Sequence, residues 1–155
     1  MHLSQALPRL FVGSCPSNAD DIGRLNADYG ITAILNLQTD HDFDYWDFDW
    51  NRIHARCREL GIEVRRIPVD DGDASDLRKK LPQCVDAADE LLRAGHIVYA
   101  QCNADAGRSS SVAVALLHWK QGWKLAEAIE RVARCRYCRP DIESILSSGA
   151  GKVAA

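Results

Sequence analysis

No run of apolar residues in this chain approaches the length of about 20 that crosses a bilayer. No basic-then-apolar leader opens it either, so neither a membrane anchor nor secretion is expected. Basic residues are in deficit: 19 Lys and Arg stand against 22 Asp and Glu, a net charge of -3. That balance argues against nucleic acid or an anionic membrane surface as a partner. Cys135-x-x-Cys138 has the spacing of half a zinc site, but no second such pair and no nearby histidine complete it. No metal and no organic cofactor are expected. Six cysteines in 155 residues do not call for a disulfide framework, because a chain this long with 46% hydrophobic residues can bury a core of its own. Free thiols in a reducing compartment fit better. The expected location is the cytoplasm, or a plastid if a transit peptide has been removed. Repeats, low-complexity stretches and linkers are also missing. The expectation is one domain over residues 1–155, ordered from about 8 to 148, acting as a monomer without a carbohydrate-binding module.

What is present is an alternation of strand and helix patterns. Residues 10–13 read as a first strand. Asn18 can cap a helix reaching about residue 29, where Gly30 stops it. The apolar run 31–37 has the character of a strand buried on both faces. A helix over 50–60, a strand over 62–67 and a helix over 77–92 follow, with Asp76 as the expected N-cap. A central strand spans 96–100. The 109–119 segment is apolar on several faces and reads as a core helix. Helices over 124–133 and 141–147 complete the chain. This order predicts an α/β domain with a central, mostly parallel sheet flanked by helices.

The chemistry concentrates in Gln101-Cys-Asn-Ala-Asp-Ala-Gly-Arg108-Ser109, between the central strand and the core helix. Phosphate esters resist nucleophiles because their oxygens are negatively charged. A catalyst therefore needs a cradle of N–H donors, a fixed cation and a nucleophile ionised near neutrality. Backbone amides of Asn103, Ala104, Asp105, Ala106 and Gly107, at a helix N-terminus, can converge on one anion. Such surroundings favour the thiolate of Cys102 as nucleophile. Arg108 can grip two phosphate oxygens at once, and Ser109 can donate to the sulfur as it departs. Cys-x5-Arg alone is a weak signal; its place between a buried strand and an apolar helix strengthens it. A buried structural thiol would explain neither the loop position nor Gly107-Arg108-Ser109. The leaving oxygen needs a proton, and Val69-Asp-Asp-Gly-Asp-Ala-Ser-Asp76 offers four carboxyls for it.

These segments resemble the dual-specificity branch of the protein tyrosine phosphatases, and within it the glucan phosphatases, which include laforin and the plant starch-excess enzymes. The resemblance runs from Leu10-Phe-Val-Gly-Ser-Cys15 to the last helix, through Gly30-Ile-Thr-Ala-Ile-Leu-Asn-Leu-Gln-Thr39, Leu81-Pro-Gln83 and Gly95-His-Ile-Val-Tyr99. It implies the cysteine-dependent phosphatase fold and places the general acid on Asp71. It also places a pair of glucan-stacking aromatics on Tyr45 and Trp46. Asp40-His-Asp-Phe-Asp-Tyr-Trp-Asp-Phe-Asp-Trp50 reads as an acidic loop, with carboxylates that could accept bonds from sugar hydroxyls. Phe43 and Phe48 are expected to pack inward from it.

The loop carries no lysine, which disfavours polyphosphates and suits a neutral polymer bearing scattered monophosphates. The implied activity is removal of phosphate monoesters from glucan through a phosphocysteine. The alternatives are a phosphatase for phosphotyrosine or phosphoserine proteins, or a binding pseudophosphatase. The family's histidine and glycine are replaced here by Gln101 and Asp105, changes that tend to blunt the loop. Aromatics expected along the channel are replaced by Gly72 and Arg139.

Overall fold

The computed structural model describes residues 1–103, 107–134 and 139–148. Five strands form one sheet, β1 (Leu3–Leu7), β2 (Leu10–Gly13), β3 (Ala33–Asn36), β4 (Glu63–Arg66) and β5 (Val98–Gln101), in the order β1-β2-β5-β3-β4. Only the β1–β2 hairpin is antiparallel; the β2–β5, β5–β3 and β3–β4 pairs are parallel. The mostly parallel sheet is as expected, with one addition. β1 lies before residue 8, where order was not anticipated, because Leu3-Ser-Gln-Ala-Leu7 is a half-exposed edge strand with little apolar pattern.

Helices cover both faces. Helix α4 (Ala74–Arg93), α5 (Gly107–Trp119), α6 (Leu125–Ala133) and α7 (Ile142–Ser148) enclose one apolar cluster with Leu35, Val98 and Ala100. Helices α1 (Ala19–Tyr29) and α3 (Trp50–Glu59) cover the other, around Ile22, Ile34 and Tyr99. Helix α5 is the core helix: Arg108 through Leu117 are all buried. Among the described residues no helix is long and apolar enough to cross a membrane.

Two local solutions differ from the expectations. Residues 40–46 form helix α2 (Asp40–Trp46) rather than a loop, despite the low helix propensity of aspartate. A capping box overrides propensity: Thr39 Oγ1 accepts from the Asp42 amide, and the Asp42 carboxylate accepts from the Thr39 amide. Helix α4 begins a turn earlier than anticipated, capped by Asp73 rather than Asp76. Asp76 instead accepts from the Asp70 amide at 2.8 Å and pairs with Lys80. Within α4, Pro82 cannot donate to the Arg78 carbonyl, which would otherwise go unpaired. Ser148 of α7 donates to that carbonyl at 2.7 Å and so docks α7 onto the break.

The parallel register sets Gly13, Gln101 and Asn36 side by side, at the carboxyl ends of three adjacent strands. Open α/β sheets place their ligands at that edge. Gly13 is required there by space alone: an added Cβ would lie 2.1 Å from the His2 carbonyl oxygen and 2.6 Å from the Tyr99 hydroxyl. Tyr99 cannot yield, since its hydroxyl donates to the Ser14 carbonyl from a fully buried position. Gly13→Ala is expected to lower the unfolding free energy by about 1–3 kcal/mol, the usual cost of overpacking. Urea denaturation checks this; an unchanged midpoint would show that the hairpin gives way freely.

Candidate active site

β5 runs directly into Cys102, which is wholly buried. Its Sγ lies 3.4 Å from Ser109 Oγ and accepts from the Ser109 amide at 3.4 Å, in the first turn of α5. Ser109 Oγ is also 3.3 Å from the Gly13 carbonyl, so the serine is held between the sheet edge and the sulfur. Burial raises the other described thiols: Cys57 is pushed up to about 11 and Cys84 to about 12. Cys15 is pushed up to about 11 by burial and then by the negative charge of Cys102. These three stay neutral thiols at physiological pH.

Arg108 sits one residue earlier in α5, its side chain only 4% exposed. Nη1 is fully engaged, donating to the Asp42 carboxylate at 2.9 Å, the Val69 carbonyl at 2.5 Å and the Leu37 carbonyl at 3.4 Å. Nε and Nη2 are buried and have no hydrogen-bond partner among the described residues. These two nitrogens form one edge of the guanidinium, the edge that meets two oxygens of a phosphate in parallel. Buried donors left unmade cost about 1–3 kcal/mol each, so the protein holds an anion-ready fork. Burial opposes the charge on Arg108, but Cys102, Asp42 and Asp71 outweigh it and lift the guanidinium above its ordinary pKa.

Asp42 was not anticipated as part of the site. It is buried, and both oxygens are used: Oδ1 accepts from Asn103 Nδ2 at 2.9 Å, and Oδ2 from Arg108 Nη1 and the Thr39 amide, each at 2.9 Å. Burial pushes its carboxyl up, yet the Thr39 amide, the Arg108 guanidinium and Asn103 together hold it below the usual carboxylate range. Asn103, expected as a loop amide, also accepts from Gln38 Nε2 at 3.1 Å. The sequence signal for Asp42 was Thr39-x-x-Asp42, a capping box set just after a buried strand.

Asp71 Oδ1 lies 3.7 Å from Arg108 Nε, and its side chain is 48% exposed. It lines a cavity of ≈ 190 Å³ together with Gly107, Arg108 and Arg139. Of the four acidic candidates in that segment, Asp73 and Asp76 are spent on α4 and its loop, while Asp71 faces the guanidinium. Ala104, Asp105 and Ala106 lie outside the described residues, as do Cys135 and Cys138. Gln101 is buried with its Oε1 unpartnered, and so is Nδ2 of its strand neighbour Asn36. Among the described residues no group of His, Cys, Asp or Glu is arranged to hold a metal.

Tyr45 and Trp46 are 72% and 45% exposed, packed edge to face with centroids 5.1 Å apart. Phe43 is buried and Phe48 partly buried, as anticipated. Trp50, in contrast, is no surface for a ligand. Phe43 stacks on one side of it at 5.1 Å and His54 at 5.2 Å, with Arg66 over the far side of Phe43. Three of the carboxylates around the pair have structural partners, while Asp44 and Asp47, which flank the two rings in sequence, are exposed. Asp42 turns inward, Asp40 pairs with Arg66, and Asp49 caps α3. A helix demands caps and charge pairs, and these acids supply them.

A buried thiol and an arginine fork at a helix N-terminus, facing a loop aspartate, define a class. The chain matches the family of dual specificity phosphatase catalytic domains over residues 10–145, and it belongs to that family. Among named proteins it is 35% identical, over 94% of its length, to the chloroplastic phosphoglucan phosphatase LSF1 of Arabidopsis thaliana. It is 34% identical over 92% of its length to the amyloplastic phosphoglucan phosphatase DSP4 of Castanea sativa, and 33% over 81% to laforin of Mus musculus. The chain spans 24%, 38% and 41% of those proteins, respectively. Among solved structures, the active form of Tk-PTP superposes with a TM-score of 0.75 at 22% identity, covering 96% of this chain and 94% of that one.

Because the folded Asp42 carboxyl titrates below its unfolded value of about 3.9, its contribution to stability is present above that pH. The contribution is lost as pH falls through the lower, folded value. Asp42→Asn removes the titration and leaves Arg108 buried without its carboxylate, an expected cost of about 3 kcal/mol at pH 7. The urea midpoints of the two proteins should converge only as pH is lowered below that unfolded value and through the depressed folded one. Curves that stay parallel to low pH would contradict the depressed pKa.

Proposed function

We propose that this protein removes phosphate monoesters from glucan. The Cys102 thiolate attacks phosphorus, and the S–P bond forms as the P–O bond to the sugar breaks. Asp71 gives its proton to the departing oxygen, so the glucan leaves as an alcohol. The ionised Asp71 then takes a proton from water, whose oxygen attacks phosphorus. Inorganic phosphate departs and the thiolate returns, with Ser109 hydrogen-bonded to the sulfur as it leaves. Arg108 binds two non-bridging oxygens through Nε and Nη2 in both steps, so charge developing there meets a fixed cation in a dry site.

The carrying observation is the Nε and Nη2 edge of Arg108, buried, without a hydrogen bond among the described residues, and 3.7 Å from Asp71 at Nε. The substrate half of the proposal is supported by the exposed pair Tyr45 and Trp46, whose rings suit the apolar faces of sugars. Three relatives support it further, two named as phosphoglucan phosphatases and the third laforin. Two of them carry plastid names, which supports the plastid alternative for location. The partner is then a phosphorylated polysaccharide, on which the catalytic domain acts as a monomer.

Phosphate release from amylopectin and hydrolysis of an aryl phosphate test the two halves separately. Cys102→Ser is expected to abolish both, a loss of at least about 10³-fold. Trp46→Ala should lower kcat/KM on amylopectin about tenfold, as expected for losing a stacking face worth about 1 kcal/mol or more, and leave the aryl phosphate unchanged. Equal loss on both would contradict a glucan platform. Faster turnover of phosphopeptides than of amylopectin would point to the protein-phosphatase alternative.

A further inference from the structure

Helix α2 has two jobs that meet in one side chain. Its C-terminal end presents Tyr45 and Trp46 to solvent, while Asp42, one turn earlier along the same side of the helix, is buried and holds Arg108 and Asn103. Asp42 is also the third residue of the helix, and its own carboxylate closes the α2 capping box on the Thr39 amide. The oxygen that aligns the helix, Oδ2, is therefore the oxygen that aligns Nη1 of Arg108. Phe43 of α2 is held by its neighbours: it stacks on Trp50, Arg66 lies 4.7 Å from its ring centroid, and Arg66 reaches back to Asp40 at 2.8 Å and to the Gln38 carbonyl at 3.2 Å. The seven-residue helix is thus held at its first turn and again through Phe43.

We propose that Asp42 is a positioning residue that couples the aromatic platform to the phosphate grip. Polysaccharide seated on Tyr45 and Trp46 steadies α2, and through Asp42 it fixes the aim of the Nε and Nη2 edge of Arg108. Sugar contact then raises kcat as well as lowering KM. The coupling rests on the glucan reading; the hold of Asp42 on Arg108 does not.

A double-mutant cycle of Asp42→Asn and Trp46→Ala, with aryl phosphate and amylopectin as substrates, tests it. On aryl phosphate, Asp42→Asn is expected to lower kcat about 10- to 100-fold, the range that follows from a misaimed catalytic group. On amylopectin, Trp46→Ala should lower kcat and raise KM in the natural background. In the Asp42→Asn background it should raise KM only, so that its roughly tenfold effect on kcat/KM shrinks to about two- to threefold. An aryl-phosphate kcat within twofold of the natural protein would overturn the positioning role. Identical losses from Trp46→Ala in both backgrounds would overturn the coupling.

If urea melts show that Asp42→Asn does not fold, Thr39→Val replaces it, since it removes one half of the capping box and spares the carboxylate. It should lower aryl-phosphate kcat by only about two- to threefold, because the carboxylate still holds Arg108, and shrink the kcat effect of Trp46→Ala; an undiminished effect would again overturn the proposal. If the natural protein releases no phosphate from amylopectin, the glucan reading and the coupling fall together. The aryl-phosphate arm then still decides whether Asp42 positions Arg108.

Discussion

Two charged side chains that a buried interior cannot accommodate alone, the guanidinium of Arg108 and the carboxylate of Asp42, meet at 2.9 Å near the edge of the sheet. A buried ion pair of this kind is weak evidence for stability, because desolvation offsets most of the attraction. Its value lies in geometry. Asp42, Val69 and Leu37 occupy Nη1 completely, which turns the opposite edge of the guanidinium toward the anion site. Without those three acceptors the same arginine would have several ways to point. The sheet supplies two of them, from the end of β3 and from the loop after β4, so the strand register determines where the cation sits.

The conflict around Arg108 also explains why the site is built from buried polar groups and not from surface charge. Cys102, Asp42 and Asp71 all favour the cationic form, and burial alone opposes it. A phosphate dianion arriving at Nε and Nη2 relieves two unpaired donors at once. Binding energy is therefore concentrated on the phosphate, while an exposed pair of rings, the proposed sugar platform, stands about one helical turn from Asp42.

Much of this was legible in the amino acids, and the rest was hidden for identifiable reasons. The alternation of apolar runs with Gly- and Asn-bounded helical stretches carried the parallel sheet, and Cys102 to Ser109 announced its chemistry through residue type and position. The exposure of Tyr45 and Trp46 against the burial of Phe43 was also anticipated. What escaped was α2 itself, since five aspartates in ten residues read as a solvated loop until the capping box is weighed. With the helix missed, the inward turn of Asp42 was missed too, because facing directions follow only from helical periodicity. β1 was hidden by its half-exposed edge position. Gln101, read as a departure near the nucleophile, proves to be buried beside Asn36 with a polar atom of each unpaired, a soft point below Cys102 that no spacing rule reveals.

The central claim is that one side chain joins a phosphate fork to a sugar platform. Its most direct test is a crystal structure of the Cys102→Ser protein with a phosphorylated maltooligosaccharide. The account predicts the phosphoryl group on Nε and Nη2 of Arg108, a glucosyl ring against Tyr45 or Trp46, and the Asp42 contact to Nη1 retained. Phosphate bound away from that edge, or a sugar chain leaving the site on a path that never meets α2, would contradict it.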